Sequence, residues 1–373
     1  MYLSKFQLKN FRNYSDSTIE LGTGLNYFVG ENGQGKSNFL EAVYALSIGK
    51  SFRTSSIRSL IKFDNNSTDS FVRGIANQDN SVLDLSLILN LDKDSNRTTK
   101  KYLFNGSDIS SIDFIGKLNV VLFEARDLNI IIGNPIERRK FLDIHISQQD
   151  HSYLRALQRY NKVLTSRNKV LKEIKLRKST RIELEFWTEK IVEDGSIIFK
   201  ERMKRLNQIR DETIKVFSNL VRNDERLEIS FKPSFRDFGT DITIERIHSL
   251  YNQISDKEIA AGTTLIGPHR DDFEIFVNNK SSSEFSSRGQ IRTITLALKL
   301  GEANVISKNK NQAPILALDD VLSELDERRR KTVMDYISDY EQILLTAPNS
   351  NLINYDLKKP DMFKVHSGDI IQN

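Results

Sequence analysis

The sequence contains no cysteine, which excludes disulfide staples and thiolate metal centres, so the fold must rest on its own core. Long hydrophobic runs are also missing. The longest apolar stretches, Val120 to Phe123 and Pro314 to Leu318, suit buried strands and fall far short of the ~20 residues that cross a bilayer. Met1 to Phe6 alternates polar and apolar residues instead of placing an apolar run behind a basic end, so no export signal is expected and the chain reads as cytoplasmic, with no membrane partner. A strong excess of one charge is lacking too: 55 Lys and Arg face 50 Asp and Glu, and the net +5 is compatible with a polyanionic partner without requiring one.

The distribution of charge is more informative than its total. From Arg155 to Arg181 the bases Arg155, Arg159, Lys162, Arg167, Lys169, Lys172, Lys175, Arg177, Lys178 and Arg181 are opposed by Glu173 alone. Such a segment either neutralises nucleic-acid phosphates without reading sequence or is simply a solvated helix face, and the residues leave both open. Tyr153 and Tyr160 are the aromatics interleaved there, too few for base stacking to dominate.

With 373 residues the chain has room for two or three domains. Residues 1–130 read as β-rich with one helix: alternation at Leu83, Leu85, Leu87, Leu89 and Leu91, then Tyr102 to Phe104 before Asn105-Gly106, predicts an antiparallel meander. Residues 131–250 read as a mainly helical insertion, proline-free from 136 to about 220 with apolar residues at helical spacing. Residues 251–373 return to strands and helices, so the core is expected to be discontinuous in sequence.

The chemistry concentrates at three places. Gly30-Glu31-Asn32-Gly33-Gln34-Gly35-Lys36-Ser37 follows the apolar stretch Leu25 to Val29 and opens a helical pattern, which is the context of a phosphate-binding loop. Glycines there let backbone N–H groups face phosphate, the lysine reaches the β- and γ-phosphates, and the hydroxyl ligates Mg²⁺. A glycine-rich turn capping a helix is the plainer alternative. Pro314 to Leu318 then ends in Asp319 and Asp320; Asp319 is expected to hold Mg²⁺ and Asp320 to position the attacking water, against the alternative that both merely cap a helix. Ser287-Arg288-Gly289-Gln290 precedes an apolar helix and resembles the ABC signature, whose Ser287, Gly289 and Gln290 would reach nucleotide held by a second chain.

Asn10 to Tyr14, Gly30 to Ser37, Arg138 to Asp143, Leu265 to Asp272, Ser287 to Arg292 and Asp319 to Asp326 are similar, in order and over essentially the whole chain, to the motifs of the RecF family. The resemblance implies an α/β fold: an ABC-type P-loop ATPase head like that of SMC and Rad50 proteins, a mixed sheet with an antiparallel β subdomain, and an inserted α-helical second lobe. It also implies ATP and Mg²⁺ as cofactors, an ATP-dependent homodimer and weak DNA-dependent hydrolysis. The implied partners are single-stranded, gapped or linear double-stranded DNA and the RecO and RecR proteins, in recombinational repair and the SOS response. Thr346 stands where many ABC ATPases place a switch histidine. An ABC-type ATPase subunit of another complex is the competing reading, and His269 to Asp272 fits either an interface or a salt-bridged turn.

Overall fold

The computed structural model describes residues 1–63, 67–79, 81–221, 225–235, 243–349 and 360–372. In chain order it runs β1 (Tyr2–Phe11), β2 (Tyr14–Glu20), β3 (Gly24–Val29), α1 (Lys36–Ile48), β4 (Asp69–Gln78), β5 (Ser81–Asp92), β6 (Arg97–Phe104), β7 (Ser107–Ile109), α2 (Ser111–Phe114) and β8 (Val120–Phe123). Helices α3 (Asn129–Ile132), α4 (Pro135–Ser147), α5 (His151–Lys175) and α6 (Arg181–Leu220) follow, then β9 (Leu227–Lys232), α7 (Ile244–Ala261), β10 (Asp272–Val277), β11 (Lys280–Ser281) and α8 (Ser282–Phe285). The chain closes with α9 (Arg288–Lys310), β12 (Ile315–Asp319), α10 (Glu327–Ile337), β13 (Gln342–Ala347), β14 (Asp361–His366) and β15 (Asp369–Gln372). No helix among the described residues is long and apolar enough to cross a membrane.

These elements form two compact units. The first comprises Met1–Asp127, Lys215–Arg222 and Thr295–Asn373, and the second Leu128–Ile214 and Asn223–Ile294. The first unit holds two six-stranded sheets, one ordered β2-β1-β4-β5-β6-β7 and the other β15-β14-β3-β13-β12-β8. The former is antiparallel throughout, whereas β14, β3, β13, β12 and β8 run parallel and only β15 reverses. Helix α1 touches strands of both sheets, and its Phe39 packs on Phe6 of the antiparallel sheet and Phe28 of the parallel one. This is the mixed α/β head expected from the sequence. The parallel strands β3, β8, β12 and β13 are buried and largely apolar, while β4 of the antiparallel sheet alternates buried and half-exposed residues, as two-sided and one-sided burial respectively require.

The second unit packs α4 to α7 with the three-stranded sheet β11-β10-β9. It reaches Ile294, so the boundary expected at 250 falls inside it. Strand β10 pairs antiparallel with β9 across α7, and that long-range closure keeps 251–294 with the helices instead of the head. Helix α7 was not expected, although Ile244, Ile247, Tyr251 and Ile254 recur at helical spacing and Ile247 and Tyr251 are buried.

Candidate functional site

Strand β3 delivers the glycine-rich loop to the C-terminal rim of the parallel sheet, beside the ends of β13 and β12. Its tight path needs glycine twice. A Cβ on Gly30 would lie 2.2 Å from the Val365 carbonyl oxygen, and Gly35, at φ +125, would drive one to 2.8 Å from Asn13 Nδ2. The back of the loop is held by donors: Asn13 Nδ2 to Gln34 O at 2.9 Å, Tyr14 Oη to Gly35 O at 3.0 Å and the Gly368 amide to Gln34 O at 2.9 Å. The Gln34 side chain accepts from the Ser367 amide at 2.7 Å. With its carbonyls held from behind, the loop leaves the amides of Gly33, Gly35, Lys36 and Ser37 without a protein acceptor among the described residues. Four donors at the start of a 13-residue helix form a cradle for an anion.

Lys36 folds over this cradle and donates from Nζ to Gly30 O at 2.5 Å and Glu31 O at 2.9 Å. Burial lowers its pKa, opposed by the charges of Asp320 and Asp319. Ser37 Oγ donates to Asp319 Oδ1 at 2.7 Å, so the hydroxyl and carboxylate expected to share a cation already touch across 282 residues of sequence. Thr346, opposite Asp319 in the parallel register, donates to the same Oδ1 at 3.0 Å and accepts from the Asp320 amide at 3.1 Å. Asp320 sits at φ +55, a conformation that costs a non-glycine residue roughly 1–3 kcal/mol, and its buried Oδ1 has no hydrogen-bond partner. Strain and an unsatisfied carboxylate oxygen coincide at the position expected to orient water.

The structure thus brings Gly30, Glu31, Asn32, Gly33, Gln34, Gly35, Lys36, Ser37, Asp319 and Asp320 together on one rim. Sequence reasoning singled out the Asn10 to Tyr14 block without assigning Asn13 or Tyr14 a role, and missed Gln34's side-chain bond, Thr346's hydroxyl bridge and Glu124. Glu124 follows β8 directly, and burial pushes its carboxyl up to about 8, with Asp127 and Asp319 adding to the rise and Arg126 and Arg53 opposing it. Arg12 acts further back: its guanidinium forks onto Glu41 of α1 at 2.8 and 2.7 Å and donates to Ser59 O at 2.7 Å. Glu41 is fully buried, so Arg12 neutralises a charge that would otherwise destabilise the loop's own helix.

Ser287, Gly289 and Gln290 belong to the second unit. The Gln290 amide donates to Ser287 Oγ at 3.3 Å and the Ser287 amide to Gln290 Oε1 at 2.9 Å, a capping box that opens α9. Gln290 Nε2 also donates to Glu225 at 3.0 Å. Ser287 and Arg288 remain exposed, and Phe285 just before them is 66% exposed.

Two of the motif blocks prove to be one buried network. Arg202 donates to Asp143 at 2.8 Å, to Tyr153 Oη at 3.2 Å and to Pro268 O at 2.6 Å, and Arg139 donates to Asp271 O at 2.8 Å. Arg138 pairs with Asp272 at 2.6 Å. His269 Nδ1 lies 2.6 Å from Tyr160 Oη and Nε2 lies 3.2 Å from Thr264 O, which assigns the proton to Nε2 and makes Nδ1 the acceptor. Within the basic run Arg167 is 1% exposed, pairs with Glu258 at 2.6 Å and lies over the Tyr251 ring. Arg167 is therefore removed from any nucleic-acid surface, and so are the buried Tyr153 and Tyr160; the other nine bases are exposed.

A parallel-sheet head with this loop and acidic strand, and a separate capped Ser-Arg-Gly-Gln turn, defines an ABC-type ATPase. Residues 2–369 match the family described as RecF/RecN/SMC N terminal domain. A DNA replication and repair protein RecF from Bacillus cytotoxicus is 38% identical over 376 residues, covering 99% of this chain and 98% of that protein. A solved structure of the recombination mediator protein RecF-ATPrS in the RecFOR pathway shares 32% identity, TM-score 0.89, and 100% and 98% coverage. The corresponding RecF-ATP structure shares 31% identity, TM-score 0.88, and 100% and 97% coverage. The chain belongs to the RecF family of ABC/SMC-class ATPases.

Proposed function

We propose that this chain is an ATP-switched DNA-binding protein of recombinational repair and replication-fork maintenance. The carrying observation is the cradle of unpaired amides beside the Ser37–Asp319 contact. Lys36 leaves its two loop carbonyls for the β- and γ-phosphates, and the loop amides take the phosphate oxygens. Ser37 and Asp319 are suited to Mg²⁺, which neutralises developing phosphate charge when bound. Among the described residues no three His, Asp or Glu side chains form a self-sufficient metal site, so a cation here would need nucleotide oxygens to complete its shell. Asp320 positions water with a side chain one methylene shorter than glutamate, in keeping with slow hydrolysis.

Ser287, Gly289 and Gln290 then close on nucleotide bound by a second copy of the chain, so that ATP occupancy sets dimerisation. Exposed Ile132, Ile136 and Phe285, on elements packed around α3, suit burial of that face against a partner. Exposed bases of α5 neutralise phosphates of single-stranded, gapped or linear double-stranded DNA. RecR and RecO are the protein partners this reading carries, with recombinase loading at gaps and support of the SOS response as the outcome, in the cytoplasm. Sedimentation with ATP, ADP or neither tests it: wild type should dimerise with ATP only, and Lys36→Ala and Ser287→Arg should remain monomeric. ATP-dependent dimers of either variant would refute the sandwich. Flotation with membranes would favour a transporter subunit instead.

A further inference from the structure

The segment between α1 and β4 contributes to a cleft of about 380 Å³ on the first unit, lined among others by Arg58, Ile61, Lys62, Phe63, Leu91 and Lys93. Among the described residues, three bases and no acid line it. Arg58 donates to Asn96 Oδ1 at 2.6 Å and Lys62 to the Ser15 hydroxyl, neutral partners that orient both cations without cancelling their charge. Phe63 is 100% exposed, a ring with one of the largest apolar payloads left wholly in water beside those cations. The wall behind it is rigid: Lys62 N donates to Asn10 O and Arg12 N to Leu60 O, both at 2.8 Å, and Phe11 bridges Ile61. Arg12 also ties this wall, through Ser59 and Glu41, to the helix that begins at the phosphate loop.

We propose that this cleft is a single-stranded DNA site, in which Phe63 stacks one splayed base while Arg58, Lys62 and Lys93 hold the flanking phosphates. An aromatic face set among bases is sequence-tolerant, because every base has a π-face, and it discriminates against duplex, whose base faces are already stacked. The volume lies at the lower end of ligand pockets and accommodates about one nucleotide unit, with the strand continuing across the open surface. The site differs from the α5 surface and rests on the reading that the chain binds DNA.

The test uses the full chain, labelled oligo(dT), blunt duplex of equal length and free dTMP. Because Phe63 touches nothing it must support, Phe63→Ala should keep the wild-type melting temperature, and it should weaken oligo(dT) binding about tenfold with blunt duplex changed less than twofold. Arg58→Ala should flatten the oligo(dT) salt dependence by roughly one released counterion, a slope change of about 0.7. Phe63→Trp should bind like wild type and have its added emission quenched by oligo(dT). Oligo(dT) affinity of Phe63→Ala within twofold of wild type would overturn the proposal, as would unquenched emission or quenching by dTMP at the same nucleotide concentration. Failure of wild type to bind any DNA is a separate pattern that would end the DNA-binding reading itself.

Discussion

Arg202 offers the sharpest separation of structural from functional motifs. It is 3% exposed and gathers Asp143 of α4, Tyr153 of α5 and the Pro268 carbonyl, with Asp271 3.9 Å away. Arg202→Met keeps most of the volume and removes the charge. Asp143 then loses its fork, and Asp271, 1% exposed and with its pKa already raised by burial, keeps the Ser234 amide at 2.8 Å and the lesser pull of Arg139. Breaking a buried pair from one side costs roughly 3–5 kcal/mol, a large part of the ~5–15 kcal/mol that holds a domain folded. At about 2–4 °C per kcal/mol for units of this size, calorimetry should show a transition lowered by on the order of 10 °C. The double variant Arg202→Met/Asp143→Leu should recover part of that loss, since the stranded carboxylate is gone. Every Arg202 partner lies in the second unit, so binding of a fluorescent ATP analogue to monomer at low temperature should stay within threefold of wild type. A melting point within 2 °C of wild type, or ATP affinity lost with the fold intact, would refute the reasoning.

His269, held near a pKa of about 4 by burial, is neutral in the fold while its unfolded value is 6.5. Its contribution is complete above about 6.5 and is lost as pH falls toward 4, by at most roughly 3 kcal/mol, so His269→Gln should flatten the stability profile between pH 6.5 and 4.5 measured by urea unfolding. Gly35→Ala forces a Cβ into Asn13 at φ +125 and should raise the ATP dissociation constant at least tenfold by titration calorimetry; unchanged affinity would show that the loop can relax. Thr346→Val removes the hydroxyl that joins Asp319 to the Asp320 amide and should reduce single-turnover phosphate release more than ATP affinity, because it frees the strained aspartate. Equal losses in both would place Thr346 in binding alone.

The extent of legibility follows the range of the forces involved. Val120 to Phe123 was readable as a strand to the residue, and Ile315 to Leu318 to within one, because a parallel strand buried on both faces must be apolar throughout. The loop was readable because phosphate chemistry needs glycine, lysine and a hydroxyl at fixed spacing on a strand–helix junction. Arg167 was misleading: a buried arginine in a basic run looks like its exposed neighbours until α7 brings Glu258 to it. Asn13 and Tyr14 stood in a family-like block without a legible role, since their polar groups meet the loop only after α1 has packed between the sheets.

Sequence alone determined the chemical inventory: which loop can curl around phosphate, which acids end an apolar strand, and which segment must be helical. Each depends on residues within one or two turns of one another, where backbone sterics and periodicity dominate. Tertiary structure decided the rest. It set Ser37 against Asp319, left Asp320 Oδ1 unsatisfied, turned the 138–143 and 265–272 blocks into one network, and placed Phe63 in water among bases. Those outcomes turn on burial and on pairings made across the chain, which act only once distant segments share a core.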